Sequence, residues 1–152
     1  MAWKFPESVL VVVHTPDLRV LMLERVGRAG WWQSVTGSRE PEDVEPVDIA
    51  RRELAEETGL LAGHDGVAHP VDLAIANRYP IAGPWRHRYA PEATHNLERT
   101  FSVSVSTPRA VRLSPDEHTR YQWVGWHEAI ERVWSQTNRA AIRHVAENRR
   151  AG

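Results

Sequence analysis

The sequence predicts one domain of 152 residues that mixes strands and helices, in the α/β or α+β class. Three observations carry this. A continuous, largely β-branched run stands at 9–13, a segment of helical periodicity with an acidic face lies within 36–61, and a cleanly alternating segment follows at 99–106. Hydrophobic residues make up 41% of the chain, enough for one substantial core that buries roughly 68–70% of the unfolded surface.

Taken in order, VLVVV at 9–13 reads as a strand buried on both faces. His14, Thr15, Pro16, Asp17 and Leu18 read as a turn, and RVLMLE at 19–24 as the returning strand. Residues 25–30 are charged and glycine-bearing, hence a loop, and 31–35 lead into Gly37. After the helix, 62–70 is a glycine-rich connection and 71–76 a strand. Residues 79–98, rich in proline, histidine and arginine, read as a long irregular segment of the kind that carries function. In 99–106, Phe101, Val103 and Val105 share one face, which predicts a half-buried strand. A short strand is expected at 121–126. Helices are expected at 127–134 and 138–148, with Ile130, Val133, Ala141, Ile142 and Val145 turned to the core.

Composition narrows the function. The net charge of −1 gives no bulk attraction to nucleic acid or to a membrane surface, so recognition of any phosphate must be local. The absence of cysteine excludes disulfides and thiolate zinc sites. An apolar run of only five residues near the N-terminus is too short for a membrane span or a signal segment, and a cytoplasmic location is the expectation. Nothing in the sequence sets an oligomeric state.

The stretch from Thr36 to Leu61, with its helix, is the chemically informative element. With about 3.6 residues per turn, Glu53, Glu56 and Glu57 share one face, while Val47, Ala50, Leu54 and Leu61 fall on the side available for a core. Each like-charge pair at this spacing costs a few tenths of a kcal/mol. Gly59 should end the helix, which leaves Glu56 and Glu57 in the last turn, where the macrodipole favours cations. Only Arg52 is placed to compensate Glu56. The ordinary reading of such a face is a solvated helix end; the sharper one is a divalent-cation site.

The surrounding residues resemble the Nudix box: Gly, five residues, Glu, seven residues, then Arg-Glu-aliphatic-x-Glu-Glu-x-Gly-aliphatic. Gly37 and RELAEETGL at 52–60 match it. The intervening loop is one residue longer than the pattern, so Glu42, Asp43 and Glu45 compete for the place of the first glutamate. The resemblance implies an α/β Nudix fold, a mixed β-sheet sandwiched between α-helices. VLMLER at 20–25, WQSVTGS at 32–38, RHRYAP at 86–91, the pair Glu117 and His118, and 134–139 resemble, within that superfamily, the bacterial dihydroneopterin triphosphate pyrophosphohydrolases of folate synthesis.

That resemblance implies hydrolysis of dihydroneopterin triphosphate to the monophosphate and pyrophosphate, with Mg²⁺ as cofactor and Mn²⁺ as the alternative. A pyrophosphate link repels nucleophiles, so such chemistry rests on positioning and neutralisation by a hard cation held on oxygens. Glu53, Glu56, Glu57 and the remote Glu117 are the implied metal ligands, with Glu117 also a candidate general base and Arg52 orienting a carboxylate through its fork. Lys4, Arg25, Thr36, Tyr79, Pro80, Ile81, Ala82 and Ser135 are the implied contacts of the small-molecule triphosphate. For Glu117 the competing reading is an acid on a surface turn, and for Lys4 and Arg25 simple solvation at strand ends. Two other functions remain open at this stage: a housecleaning nucleotide or dinucleoside polyphosphate pyrophosphohydrolase, and a non-enzymatic Nudix binding module. Retention of all three helix glutamates argues against the last.

Overall fold

The run at 9–13 forms the centre of strand β1 (Glu7–His14), and its five residues are buried because sheet faces on both sides are covered. The computed structural model describes residues 2–151. Strands β2 (Arg19–Arg25), β3 (Trp32–Gln33) and β4 (Val35–Ser38) precede helix α1 (Pro46–Thr58). Then come β5 (Val71–Pro80), a 3₁₀ turn (Gly83–Arg88), β6 (His95–Ser104), β7 (His118–Gly125), α2 (Trp126–Arg132) and α3 (Gln136–Ala151).

Among the described residues, seven strands form one sheet in the order β3-β2-β1-β6-β5, with β4 also pairing β1 and β7 also pairing β2. β1 and β6 run parallel, from Glu7 opposite Leu97 to His14 opposite Ser104, and the other pairings are antiparallel, so the sheet is mixed. Helix α1 covers one face, where Ile49, Ala50 and Leu54 pack on Val9, Val11, Phe101 and Val103. On the other face Ala129 of α2 and Ala141, Ile142 and Val145 of α3 pack with Leu10, Val12, Val20 and Met22. The sheet therefore lies between helices, as expected. Truncating a fully buried side chain such as Leu54 or Phe101 to alanine would cost about 2–5 kcal/mol.

Helix α1 starts with Pro46 at its first turn and the Asp48 carboxylate accepting the Glu45 amide at 2.7 Å, and it stops at Gly59, whose φ of 75° puts it in the left-handed region. Five expectations need correction. Leu61 is 55% exposed rather than part of the core face, because the left-handed residue Gly59 turns the chain off the helix axis before it; Ile49 fills the core instead. The irregular segment shrinks to the stretch between β5 and β6, since β5 continues through Pro80 and β6 begins at His95. Strand β6 is buried on both faces, with Thr100 and Ser102 buried like Phe101, because they flank Leu10 and Val12 on the face that α3 packs against. Finally, α2 ends at Arg132, and β7 begins three residues earlier than its apolar residues suggest, at His118.

Candidate active site

Helix α1 lays its acidic face along the end of β4. Glu53 and Glu57 are buried, at 7% and 2% exposure, whereas Glu56 points outward with its side chain 56% exposed. The Thr36 amide donates to Glu57 Oε2 at 3.1 Å. Gly37 passes directly under Glu53: a Cβ on this glycine would lie 1.9 Å from Glu53 Cδ. Glycine is required here for room and not for a backbone conformation.

Arg52 holds the acidic face in place. Its Nη1 donates to Glu53 Oε1 at 2.8 Å and to Glu56 Oε2 at 3.2 Å, and its Nη2 donates to Asp43 Oδ2 and to the Ser38 carbonyl, both at 2.8 Å. Asp43 is buried and also accepts the Glu40 amide at 2.8 Å, while Glu42 and Glu45 are exposed. The longer loop thus turns Asp43 inward as the acid that braces Arg52. Burial pushes the Asp43 carboxyl up, but the Arg52 hydrogen bonds and charge outweigh it and hold the group below the ordinary range. The same contact with Asp43 raises Arg52.

The glutamates behave oppositely. Burial, opposed by Arg52 and reinforced by Glu56 and Glu117, pushes Glu53 up to about 7. Burial also pushes Glu57 well above the carboxylate range, and the charges of Glu53 and Glu117 add to it. An irregularity in the β2–β7 pairing after Glu24 sets His118 opposite Arg25 and carries Glu117 to the same corner, where its carbonyl accepts the Val26 amide at 2.8 Å. Glu117 is exposed; His118 is 3% exposed, pushed down to about 4 by burial and by the Arg25 charge.

Ligand atoms of Glu57, Glu117 and His118 lie within 4.8 Å of one another. His118 Nδ1 is 3.6 Å from Glu57 Oε1, and neither ring nitrogen has a hydrogen-bond partner among the described residues. Repelling carboxylates beside an orphaned imidazole fit a divalent cation, which would lower the cost of ionising the acids and occupy a ring nitrogen. Glu117 and His118 lie outside the motif; the resemblance supplied Glu117, and only the place beside Glu117 hinted at His118.

The implied substrate contacts divide. Arg25, at the end of β2, acts electrostatically on Glu57 and His118, and Thr36 touches Glu57 directly, so both stand at the cluster. Lys4 donates its amide to the Arg88 carbonyl at 2.8 Å and sets its ammonium 5.8 Å from the Tyr89 ring centroid, at the 86–91 loop. Tyr79 and Pro80 end β5, and the Tyr79 hydroxyl accepts from Asn96 Nδ2 at 3.0 Å. Ile81 is buried, its amide bonded to the Thr94 carbonyl at 2.9 Å, and Ala82 is exposed. Ser135 Oγ accepts the Asn138 amide at 3.3 Å, at the start of α3. Among the described residues no hydrogen bond or ion pair joins Lys4, 79–82 or Ser135 to the glutamates.

The NUDIX domain family matches residues 4–145. The chain is 38% identical over 151 residues to the dihydroneopterin triphosphate diphosphatase of Haemophilus influenzae, covering 99% of this chain and 93% of that one. To the Escherichia coli K12 protein of the same name it is 37% identical over 150 residues, covering 96% and 95%. The solved structure of the E. coli dihydroneopterin triphosphate pyrophosphohydrolase superposes with a TM-score of 0.82 at 34% identity, over 97% of this chain and 99% of that one.

Proposed function

This chain belongs to the NUDIX family, and from that membership we propose that it hydrolyses dihydroneopterin triphosphate to the monophosphate and pyrophosphate. The observation that carries the reading is identity of 37–38% over nearly the whole length of two dihydroneopterin triphosphate diphosphatases, in a chain whose Glu57 carboxyl is buried and pushed well above the carboxylate range.

Glu53, Glu57 and Glu117 would hold the cation, Mg²⁺ or Mn²⁺, with the exposed Glu56 as an outer ligand and His118 beside them. A divalent cation there neutralises phosphate charge and orients the anhydride link. Arg52 fixes the plane of Glu53 through its hydrogen bond, which keeps one carboxylate oriented before substrate arrives. Glu117 is open to solvent and adjoins the cluster, which suits a group that holds the cation or takes a proton from the attacking water. Arg25 and Thr36 adjoin the phosphates in this reading, and Lys4, Tyr79, Pro80, Ile81, Ala82 and Ser135 surround the organic part.

Product analysis tests the proposal. kcat/KM for dihydroneopterin triphosphate should exceed that for GTP, ATP and dinucleoside polyphosphates, with pyrophosphate and not orthophosphate released. Equal or faster turnover of a nucleotide would overturn the substrate and favour the housecleaning reading. Absence of cation-dependent turnover on every triphosphate would favour a binding module.

A further inference from the structure

Three side chains of β6 stand apart from the carboxylate cluster and are unexplained by it. Asn96, Glu98 and Thr100 alternate along the strand and so share one face, the one α3 covers, since Phe101 and Val103 point into the α1 core. They are 5%, 7% and 0% exposed, and Asn96 Oδ1, Glu98 Oε1 and Thr100 Oγ1 are each buried without a hydrogen-bond partner among the described residues. Asn96 Nδ2 donates to Ser8 Oγ at 2.7 Å and to Tyr79 Oη at 3.0 Å, and Oδ1 is left without a partner among the described residues. Buried acceptors left unpaired carry a desolvation cost that a ligand bearing N–H donors would remove.

The strip lies on the sheet face opposite α1, a defined lateral distance from β4. Ser38, Ser8, Glu98 and Asn77 form one lateral row across β4, β1, β6 and β5. Glu98 therefore lies two strand spacings, about 10 Å, from β4, the strand whose Thr36 amide binds Glu57. Thr137, in the first turn of α3, bonds the Glu98 carboxyl from above, beside Ser135.

We infer that Glu98, flanked by Asn96 and Thr100, reads the 2-amino-4-oxopyrimidine edge of the substrate ring, and so determines specificity for pterin over adenine. That edge presents an amino group and a ring N–H side by side, two donors that a carboxylate accepts in parallel. Adenine presents an amino donor beside a bare ring nitrogen, which would face a carboxylate oxygen lone pair to lone pair. Guanine shares the pterin edge, so discrimination against GTP must come from elsewhere. The inference rests on the proposed function for the identity of the ring and not for the donor pattern. Burial pushes the Glu98 carboxyl up against the pull of Thr137, as expected of an acid without its donors.

The test uses Glu98→Gln, which keeps the shape but replaces one acceptor by a donor. Binding of 7,8-dihydroneopterin, which lacks phosphates, is followed by its fluorescence in the presence of chelator. Kd should rise roughly tenfold or more, and kcat/KM should fall by a similar factor for dihydroneopterin triphosphate and GTP but not for ATP. Unchanged dihydroneopterin binding overturns the inference. So does an equal loss on all three triphosphates, which marks a structural role. If Glu98→Gln unfolds, Thr100→Val, on the same face, should weaken dihydroneopterin binding while sparing ATP turnover, and failure to do so also overturns it. Preference of the parent protein for a nucleotide overturns the proposed function alone, because the contrast between GTP and ATP still reads Glu98.

Discussion

Gly37 and Glu53 are in van der Waals conflict for any residue larger than glycine: a Cβ at position 37 would lie 2.2 Å from Glu53 Oε1 and 2.3 Å from Cγ. Because Arg52 pins this carboxylate, the side chain cannot swing aside without losing its 2.8 Å hydrogen bond. Gly37→Ala is expected to fold, since the clash is with a side-chain end, yet to lose roughly 10²-fold in kcat, the scale of a displacement near 1 Å at a reacting centre. Steady-state kinetics beside a thermal melt checks this. Full activity would show that the position of Glu53 is immaterial.

Asp43 and Arg52 form the buried pair that ties the loop to the helix, with side chains 4% and 18% exposed. Asp43→Ala leaves the guanidinium short of its main partner and should cost about 1–3 kcal/mol in urea unfolding. Glu42→Ala, on the exposed part of the same loop, should stay within about 0.5 kcal/mol. Equal effects would mean that the extra loop residue had not selected Asp43.

The raised Glu53 group gives a pH dependence of definite sign. Its folded value of about 7 exceeds the ordinary 4.5, so between those values the folded state keeps a proton the unfolded state has released. Stability from this group therefore falls as pH rises from about 4.5 to 7 and is flat beyond. His118, pushed down from 6.5 to about 4, works in the opposite direction across that interval. Glu53→Gln removes the first effect, together with the charge that Glu53 adds against Glu57, and leaves His118's burial in place. Its Tm relative to the parent, measured with chelator, should climb from pH 4.5 to 7 and then level. A difference independent of pH would contradict the shift.

How far the sequence reached is clearest at Glu53, Glu57 and Glu117. Helical spacing alone put the first two on one face, but the remote acid came from resemblance, because no local periodicity links a loop before β7 to α1. Asp43 could not be chosen over Glu42 and Glu45 by counting; the choice rests on which acid meets Arg52 in space. The first two strands were legible in the runs at 9–13 and 19–24, where burial enforces composition, whereas the mixed sheet came from the resemblance. The polar face of β6 was misread as solvent-facing, since alternation reports which residues are apolar and is blind to a helix that covers polar ones. Thr100 was missed for that reason, Asn96 and Glu98 because 79–98 read as irregular, and His118 was read only as a companion of Glu117 because burial of a lone histidine has no sequence signature.

Cation binding is the prediction on which the site depends most. Glu57 is buried and pushed up, so ionising it without a cation is costly, and a ligand bound only by the folded state stabilises by RT ln(1 + [L]/Kd). At a concentration a hundred times Kd this amounts to about 2.7 kcal/mol, and Mg²⁺ or Mn²⁺ should raise Tm relative to chelator. Glu57→Gln should abolish that rise while melting no lower than the parent in chelator, because a neutral amide removes repulsion from Glu53 and Glu117. Glu53→Gln and Glu117→Gln should each lose roughly 10²-fold or more in kcat. His118 gives an internal control, since His118→Ala removes the orphaned ring nitrogens. If the imidazole is a ligand, the variant should lose more affinity for Mn²⁺ than for Mg²⁺, the harder ion that favours oxygen. Superimposable melts with and without cation, joined to full activity in chelator, would sink the cation site and return the acidic face of α1 to a solvated helix end.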